Sequence, residues 1–221
     1  MKRYGVIVAG GYGTRMNNPV PKQFLLLKGK PVLYYTINTF LKAFKDISLI
    51  LVLPEDVIPA GEKIIDTWFE GEHIRLTSGG HTRFHSVRNG LKLINEPGIV
   101  FVHDAVRCLV SVNLIHRCYA AALEHGSAVP VIDSKDSVRL LTERGNESVN
   151  RNRVKLVQTP QAFKTELLFP LLQLDYDERF TDEATAIESL GIRIHLIPGE
   201  EDNIKITQPS DLELAGYLLP G

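Results

Sequence analysis

The sequence predicts an α/β fold: a Rossmann-like three-layer α/β/α arrangement with a mostly parallel mixed sheet and a projecting β-hairpin arm. Three observations predict it. Short apolar runs of strand length alternate with segments whose apolar residues recur at helical spacing, the rhythm of a sheet covered by helices on both faces. The first run, residues 4–9, ends in glycines at 10, 11 and 13. Residues 133–157 break the rhythm, holding no convincing helix and reading as the arm.

Taken in order, residues 4–9 form a buried strand. Pro31 opens a helix in which Leu33, Ile37, Phe40, Leu41 and Phe44 repeat at helical spacing. Residues 48–53 are a short apolar strand stopped by Pro54. Residues 61–69 read as a helix that buries Ile64, Ile65, Trp68 and Phe69. Residues 73–77 alternate as a strand and run into Ser78-Gly79-Gly80; Val87, Leu91 and Ile94 then mark one face of the next helix. Residues 99–103 are a buried strand ending in Asp104-Ala105, and residues 128–132 a core strand.

The arm pairs residues 137–142 with 154–158 about a Glu-Arg-Gly-Asn turn. Two strands without a packed face are marginal in water, so the arm is expected to pack on a second subunit. Thr181-Asp182-Glu183 caps a helix that stops at Gly191, residues 192–197 form another strand, and Pro209 suits the first turn of a last helix. No linker, repeat or low-complexity run divides residues 1–221, which are expected to form one domain bearing the arm.

Composition excludes little. The chain has 221 residues, 44% hydrophobic and 23% charged, as in an ordinary soluble globule. A net charge of −1 gives no global basic field for nucleic acid. No apolar run approaches the ~20 residues of a membrane span, and the N-terminus lacks a signal-peptide pattern. Cys108 and Cys118 are too few for a disulfide framework or a zinc site, and a cytoplasmic setting is the simplest expectation.

The chemistry sits at strand ends. Glycines at 10, 11 and 13 let a backbone turn sharply and let an anion approach bare N–H groups; Arg15 and Lys22 add two cations. A nucleoside triphosphate is the expected ligand. The spacing G-G-x-G-x-R is neither the G-x-G-x-x-G of a dinucleotide fold nor a P-loop. Gly79-Gly80 leads into a second helix N-terminus, again favourable to an anion or a base carbonyl. Asp104 lies where a buried strand emerges, the edge at which ligands bind in open α/β sheets. A carboxylate there suits Mg²⁺, which prefers oxygen ligands and triphosphate oxygens. Arg107, beside it, suits the phosphate of a second substrate. Asp202 is a weaker second metal candidate. His103 reads as a strand-end hydrogen-bonding group.

With Arg15-Met16 and Pro21-Lys22-Gln23 at this spacing, the chain resembles nucleotidyltransferases of the sugar-phosphate type, specifically the methylerythritol-phosphate cytidylyltransferases of isoprenoid synthesis. Their loop reads A-A-G-x-G-x-R-M followed by P-K-Q. His103-Asp104-Ala105-Val106-Arg107-Cys108 is similar to their H-D-A-A-R-P, with Val106 and Cys108 departing from it. Gln158-Thr159-Pro160-Gln161, Thr181-Asp182-Glu183 and Asp202-Asn203-Ile204-Lys205 match closely; Asp136-Ser137 and Asn150-Arg151 stand where the family shows Asp-Thr and Asp-Arg.

The resemblance implies roles. Arg15 and Lys22 would stabilise the charge of the transferring phosphoryl group. Ala9, Gly10, Gly11, Gly13 and Ala105 would bind the nucleotide, with Gly80, Arg83 and Ser86 around its base and ribose; an acidic residue is frequent where His81 stands. Asp104 would hold Mg²⁺. Arg107, Arg151 and Lys205 would position the acceptor phosphate, with Ser137, Thr159 and Thr181 donating hydrogen bonds. The implied reaction joins CTP and 2-C-methyl-D-erythritol 4-phosphate in a homodimer built through the arm. Ribitol-phosphate cytidylyltransferases share these motifs, and a nucleotide-binding regulator without turnover is the rival from another class. Arg15 and Lys22 weigh against the regulator.

Overall fold

The computed structural model describes residues 1–9 and 20–219. In chain order its elements are β1 (Lys2–Val8), a small ribbon of β2 (Leu26–Leu27) and β3 (Lys30–Pro31), α1 (Val32–Ala43), β4 (Ser48–Leu53), α2 (Ile58–Trp68) and β5 (Ile74–Ser78). Then come α3 (Arg83–Leu91), β6 (Gly98–Asp104), α4 (Val112–His125), β7 (Ser127–Asp133), and the hairpin of β8 (Val138–Thr142) and β9 (Gly145–Val149). The chain continues through β10 (Lys155–Val157), β11 (Gln161–Lys164), α5 (Thr165–Leu168), α6 (Glu183–Glu188), β12 (Leu196–Pro198) and α7 (Pro209–Leu218).

The central sheet runs β10-β7-β11-β6-β1-β4-β5, with β12 beside β7. Strands β6, β1, β4 and β5 are parallel, and β11 enters antiparallel between β6 and β7. The fold is thus α/β with a mixed, mostly parallel core sheet. Its two faces follow the strand period of two. Ile7, Leu49, Leu51 and Phe101 point to the side packed by α1, α2 and α4. Val6, Val8, Ile50, Val52, Val100 and Val102 point to the side packed by α3, α5 and α6.

Topology places the site. From β1 the chain winds outward through β4 and β5, then returns through α3 to lay β6 on the other side of β1. The order reverses between β1 and β6, and ligands bind outside the carboxyl ends of strands at such a switch point. Val8 pairs with Asp104 in the register, so the ends of both strands open onto one crevice.

The structure corrects the element reading in four places. The second strand of the hairpin is Gly145–Val149, which pairs with Val138–Thr142, with Gly145 taking a positive φ of 129° at the tight turn. Lys155–Val157 instead returns to the main sheet, antiparallel to β7. The helix expected over 61–69 begins at Ile58 with Pro59 in its first turn, and Trp68 at its end is 39% exposed, meeting Tyr34 edge-on. The strand expected over 192–197 is only Leu196–Pro198. β11, of four residues, has no counterpart in the sequence reading.

Candidate active site

Two cavities meet in the switch-point crevice. One, of about 310 Å³, lies between Ala9, Lys22 and Gln23 on one side and the Gly80–Ser86 turn on the other. The second, of about 220 Å³, is walled by Arg107, Gln158, Thr159 and Thr181. Arg83, Asp104 and Lys205 line both.

Asp104 is the hub. Its carboxylate is 10% exposed and holds Lys205 Nζ at 2.8 Å, Arg83 Nε at 3.2 Å and Arg107 Nε at 3.8 Å. Burial works to raise its proton affinity, but Arg83, Lys205 and Arg107 outweigh burial and hold the carboxyl well below the usual carboxylate range. Burial likewise opposes the charge on Arg83, and Glu183 and Asp104 overcome it, so the guanidinium stays protonated. Arg83 forks onto Glu183, with NH1 donating to Oε1 at 2.7 Å and NH2 to Oε2 at 3.0 Å. Among the lining residues, Arg83, Arg107 and Lys205 face Asp104 and Asp182 in the smaller cavity, and Lys22, Arg83 and Lys205 face Asp104 in the larger, a positive balance suited to phosphate.

Backbone around the hub is fixed from behind. Asp104 N–H donates to Thr159 Oγ1 at 3.0 Å, and that hydroxyl lies 3.1 Å from His103 Nδ1. His103 Nε2 lies 3.3 Å from the Arg107 carbonyl, which only accepts, so the proton sits on Nε2 and the Thr159 hydroxyl donates to Nδ1. Burial pushes the His103 imidazole down to about 3, keeping it neutral. His103 is therefore a structural hydrogen-bonding group, as its strand-end position suggested. Replacing Thr159 by Val would leave the Asp104 N–H and His103 Nδ1 unpaired in the interior, at a cost of about 2 kcal/mol or more. Urea unfolding of Thr159→Val should show that loss; an unchanged midpoint and slope would refute the network.

The wall on the Lys22 side is built similarly. Gln23 is buried and donates from Nε2 to the Ala9 carbonyl at 2.9 Å, tying the P-K-Q turn to the end of β1. Lys22 Nζ donates to the Ile206 carbonyl at 3.1 Å, one residue from Lys205. Thr82 caps α3, and the Ser86 hydroxyl donates to the Thr82 carbonyl while accepting the Gly80 N–H at 3.1 Å. A Cβ at Gly80 would stand 2.4 Å from His85 Cβ, so only glycine permits this close turn.

A model of the family described as "IspD: 2-C-methyl-D-erythritol 4-phosphate cytidylyltransferase" matches residues 4–220. The chain belongs to this family. A 2-C-methyl-D-erythritol 4-phosphate cytidylyltransferase of Bacteroides thetaiotaomicron is 44% identical over 220 residues, covering 99% of this chain and 100% of that protein. The crystal structure of 4-diphosphocytidyl-2C-methyl-D-erythritol synthase from Anaerococcus prevotii gives a TM-score of 0.83 at 26% identity, covering 98% of this chain and 95% of that one. The 2-C-methyl-D-erythritol 4-phosphate cytidylyltransferase of Thermus thermophilus gives a TM-score of 0.77 at 32% identity, covering 99% and 98%.

Within this cytidylyltransferase fold the expected site residues divide into groups. Ala9, Lys22, Gly80, Arg83, Ser86, Asp104, Arg107, Thr159, Thr181 and Lys205 line one or both cavities. Gly10, Gly11, Gly13 and Arg15 lie outside the described residues. Ala105 lies behind the wall, its N–H donating to the Val8 carbonyl and its carbonyl accepting from Thr36 Oγ1. Ser137 and Arg151 are exposed beside the hairpin and line neither cavity; Arg151 donates to the Lys135 carbonyl at 3.0 Å. Asp202 is exposed and lines a different hollow, of about 910 Å³, behind the Cys108–Val112 loop. Burial pushes the Cys108 thiol up to about 12, an unreactive group.

Two contributors were not singled out from sequence. Glu183 read only as part of a helix cap, yet Asp182 is the residue that caps α6, its Oδ1 accepting the Thr185 N–H. Gln161 is buried, donating to Asp182 Oδ2 at 2.8 Å and accepting the Ala184 N–H at 3.1 Å. Their signal was the close match of T-D-E and Q-T-P-Q, which named the segments but not the partners.

Proposed function

We propose that the chain transfers the cytidylyl group of CTP to 2-C-methyl-D-erythritol 4-phosphate, giving 4-diphosphocytidyl-2-C-methyl-D-erythritol and pyrophosphate. The observation that carries this reading is the meeting of two cavities on one charged corner at the family's motif residues. CTP occupies the larger cavity, its base against the Gly80–Ser86 turn and its phosphates toward Lys22. The acceptor occupies the smaller one, its phosphate toward Arg107 and Lys205. An acceptor phosphate oxygen attacks the α-phosphorus and pyrophosphate leaves, so negative charge concentrates on the phosphoryl oxygens. Such catalysis needs positioning and preorganised positive charge and no protein nucleophile. Lys22, Arg15 and Lys205 supply the charge.

Mg²⁺ would come to this corner with the triphosphate, whose oxygens would supply most of its ligands, because Asp104 already faces Lys205, Arg83 and Arg107. Asp104 is a hard oxygen donor kept ionised, and among the described residues no three histidine, cysteine or carboxylate side chains gather into a protein cage. Asp104 would hold the ion, which when bound would neutralise charge on the triphosphate. The hairpin supports a homodimer: Leu140 and Leu141 are 53% and 83% exposed, and Ser137 and Arg151 lie away from their own chain's cavities. In the proposed dimer each arm covers the neighbour's acceptor cavity, an isologous arrangement. A cytoplasmic setting is consistent with two free, buried cysteines.

Pyrophosphate release with CTP and either polyol phosphate tests the assignment. Release with the methylerythritol phosphate is expected; release only with ribitol 5-phosphate would move the chain to the pentitol acceptor, and release with neither would sink the transfer reading. The shared site has its own test. Arg151→Ala and Lys22→Ala subunits, each nearly inactive, should regain activity on mixing, because one hybrid site carries Lys22 from one chain and Arg151 from the other. Demonstrated subunit exchange without recovery would place Arg151 outside the neighbour's site.

A further inference from the structure

We propose that Asp182, together with Gln161, determines which acceptor is taken: the pair receives a hydroxyl of the polyol chain, so the smaller cavity accepts a hydroxylated phosphate ester and discriminates against a plain alkyl phosphate. Both residues line the 220 Å³ cavity and neither lines the larger one, so their effect falls on the acceptor. They reach it from β11 and the start of α6, whereas Arg107 follows β6 and Lys205 precedes α7.

Hydrogen-bond capacity gives the first argument. A carboxylate offers about four acceptor positions. Among the described residues, Asp182 Oδ1 accepts from the Thr185 N–H at 2.8 Å and from the Thr185 hydroxyl at 2.6 Å, and Oδ2 accepts from Gln161 Nε2 at 2.8 Å. Oδ2 therefore keeps capacity for one more donor. Gln161 is fully buried, and its Oε1 takes the Ala184 N–H at 3.1 Å, which fixes the orientation of the amide. Its Nε2 carries two N–H groups and spends one on Asp182. An acceptor and a donor thus stand side by side, and a hydroxyl, which both donates and accepts, matches the two.

Charge gives the second. A phosphate brought against Asp182 would meet a like charge, whereas Arg107 and Lys205 attract it. The phosphate is drawn to the two cations, and the uncharged chain is left to Asp182 and Gln161. An alkyl chain there would cover the carboxylate and the amide without giving either a partner. A site built to bond a hydroxyl rejects the analogue that lacks it for this reason.

This inference rests on the cytidylyl-transfer reading, and a comparison of two phosphates separates the two. Calorimetry measures the affinity of 2-C-methyl-D-erythritol 4-phosphate and of 1-butyl phosphate, which has a four-carbon chain without hydroxyls. Both are titrated with a saturating CTP analogue whose α–β bridging oxygen is a methylene group, so that no pyrophosphate can leave. Serine is also a favourable N-cap residue, so Asp182→Ser keeps an oxygen for the Thr185 N–H and removes Oδ2. Wild type should prefer the polyol phosphate. In Asp182→Ser that preference should shrink by about 10–100-fold, the effect of losing a hydrogen bond to a charged group, with butyl phosphate affinity within about threefold of wild type.

A residue that only capped α6 would, when replaced, weaken both phosphates alike. An unchanged preference in Asp182→Ser therefore overturns the inference alone, as does a wild type that binds the two phosphates equally. Should Asp182→Ser not fold, Asp182→Thr, another N-cap residue without a second oxygen, decides by the same criterion. A wild type that binds neither phosphate overturns the transfer reading and the inference with it.

Discussion

Asp104→Asn is expected to lower the rate of pyrophosphate release by about 10²–10³-fold while leaving the chain folded. Asn keeps the shape of the side chain and removes the charge that draws Lys205, Arg83 and Arg107 to a common point. Arg83 retains Glu183, so the buried guanidinium is not left unpaired and the fold survives. Lys205 and Arg107 lose their shared counter-ion and their order, and more Mg²⁺ should be needed for half-maximal turnover. Circular dichroism together with a Mg²⁺ titration of turnover checks this. A folded variant with normal turnover and an unchanged titration would remove Asp104 from the metal role.

Lys22→Ala is expected to cost a similar factor in turnover, about 10²–10³ or roughly 3–4 kcal/mol of transition-state stabilisation, with a much smaller change in CTP affinity. Lys22 stands on the wall of the 310 Å³ cavity, its ammonium 3.1 Å from the carbonyl of Ile206, the residue that follows Lys205. A charge held there acts on the developing phosphoryl oxygens more than on the ground-state triphosphate, so the loss falls on the chemical step. Arg15→Ala should behave alike. Single-turnover rates against equilibrium CTP binding separate the two effects; near-normal turnover in both variants would take them out of catalysis.

Much of the architecture was legible because its core strands are parallel and covered on both faces. Such strands read as continuous apolar runs, as residues 48–53 and 99–103 do. The hairpin's second strand was not legible for the opposite reason. Gly-Asn-Glu-Ser-Val carries one apolar side chain, lies in solvent and has no period-two signal. Lys155–Val157 looked more like a strand and is one, but its partner is β7 in the main sheet. β11 escaped notice because four residues with two polar ends give no periodicity, though Ala162 and Phe163 are fully buried. Trp68 shares a helical stripe with Gly61 and Ile64, yet it falls at the last turn of α2, where the stripe runs off the sheet.

For the site, strand ends and glycine turns pointed to Asp104, Lys22 and the Gly80 turn without any partner being known. What the chain order concealed was pairing at a distance. The Arg83–Glu183 fork joins residues 100 positions apart, and Lys22 reaches a carbonyl 184 positions away. Ser86 shows the complementary limit: its type and place suggested a ligand contact, and much of its hydrogen-bonding capacity is spent holding its own turn.

Binding of CTP in the cavity between the Gly80 turn and Lys22, with its acceptor at Asp104, is tested most directly by a crystal structure of the chain with CTP and Mg²⁺. Nucleotide density is expected in the 310 Å³ cavity, with the base against Gly80 and Ser86 and the α-phosphate facing the Asp104–Lys205 corner. Nucleotide bound instead in the 910 Å³ hollow behind Cys108, or bound with its α-phosphate turned away from Asp104, would contradict it.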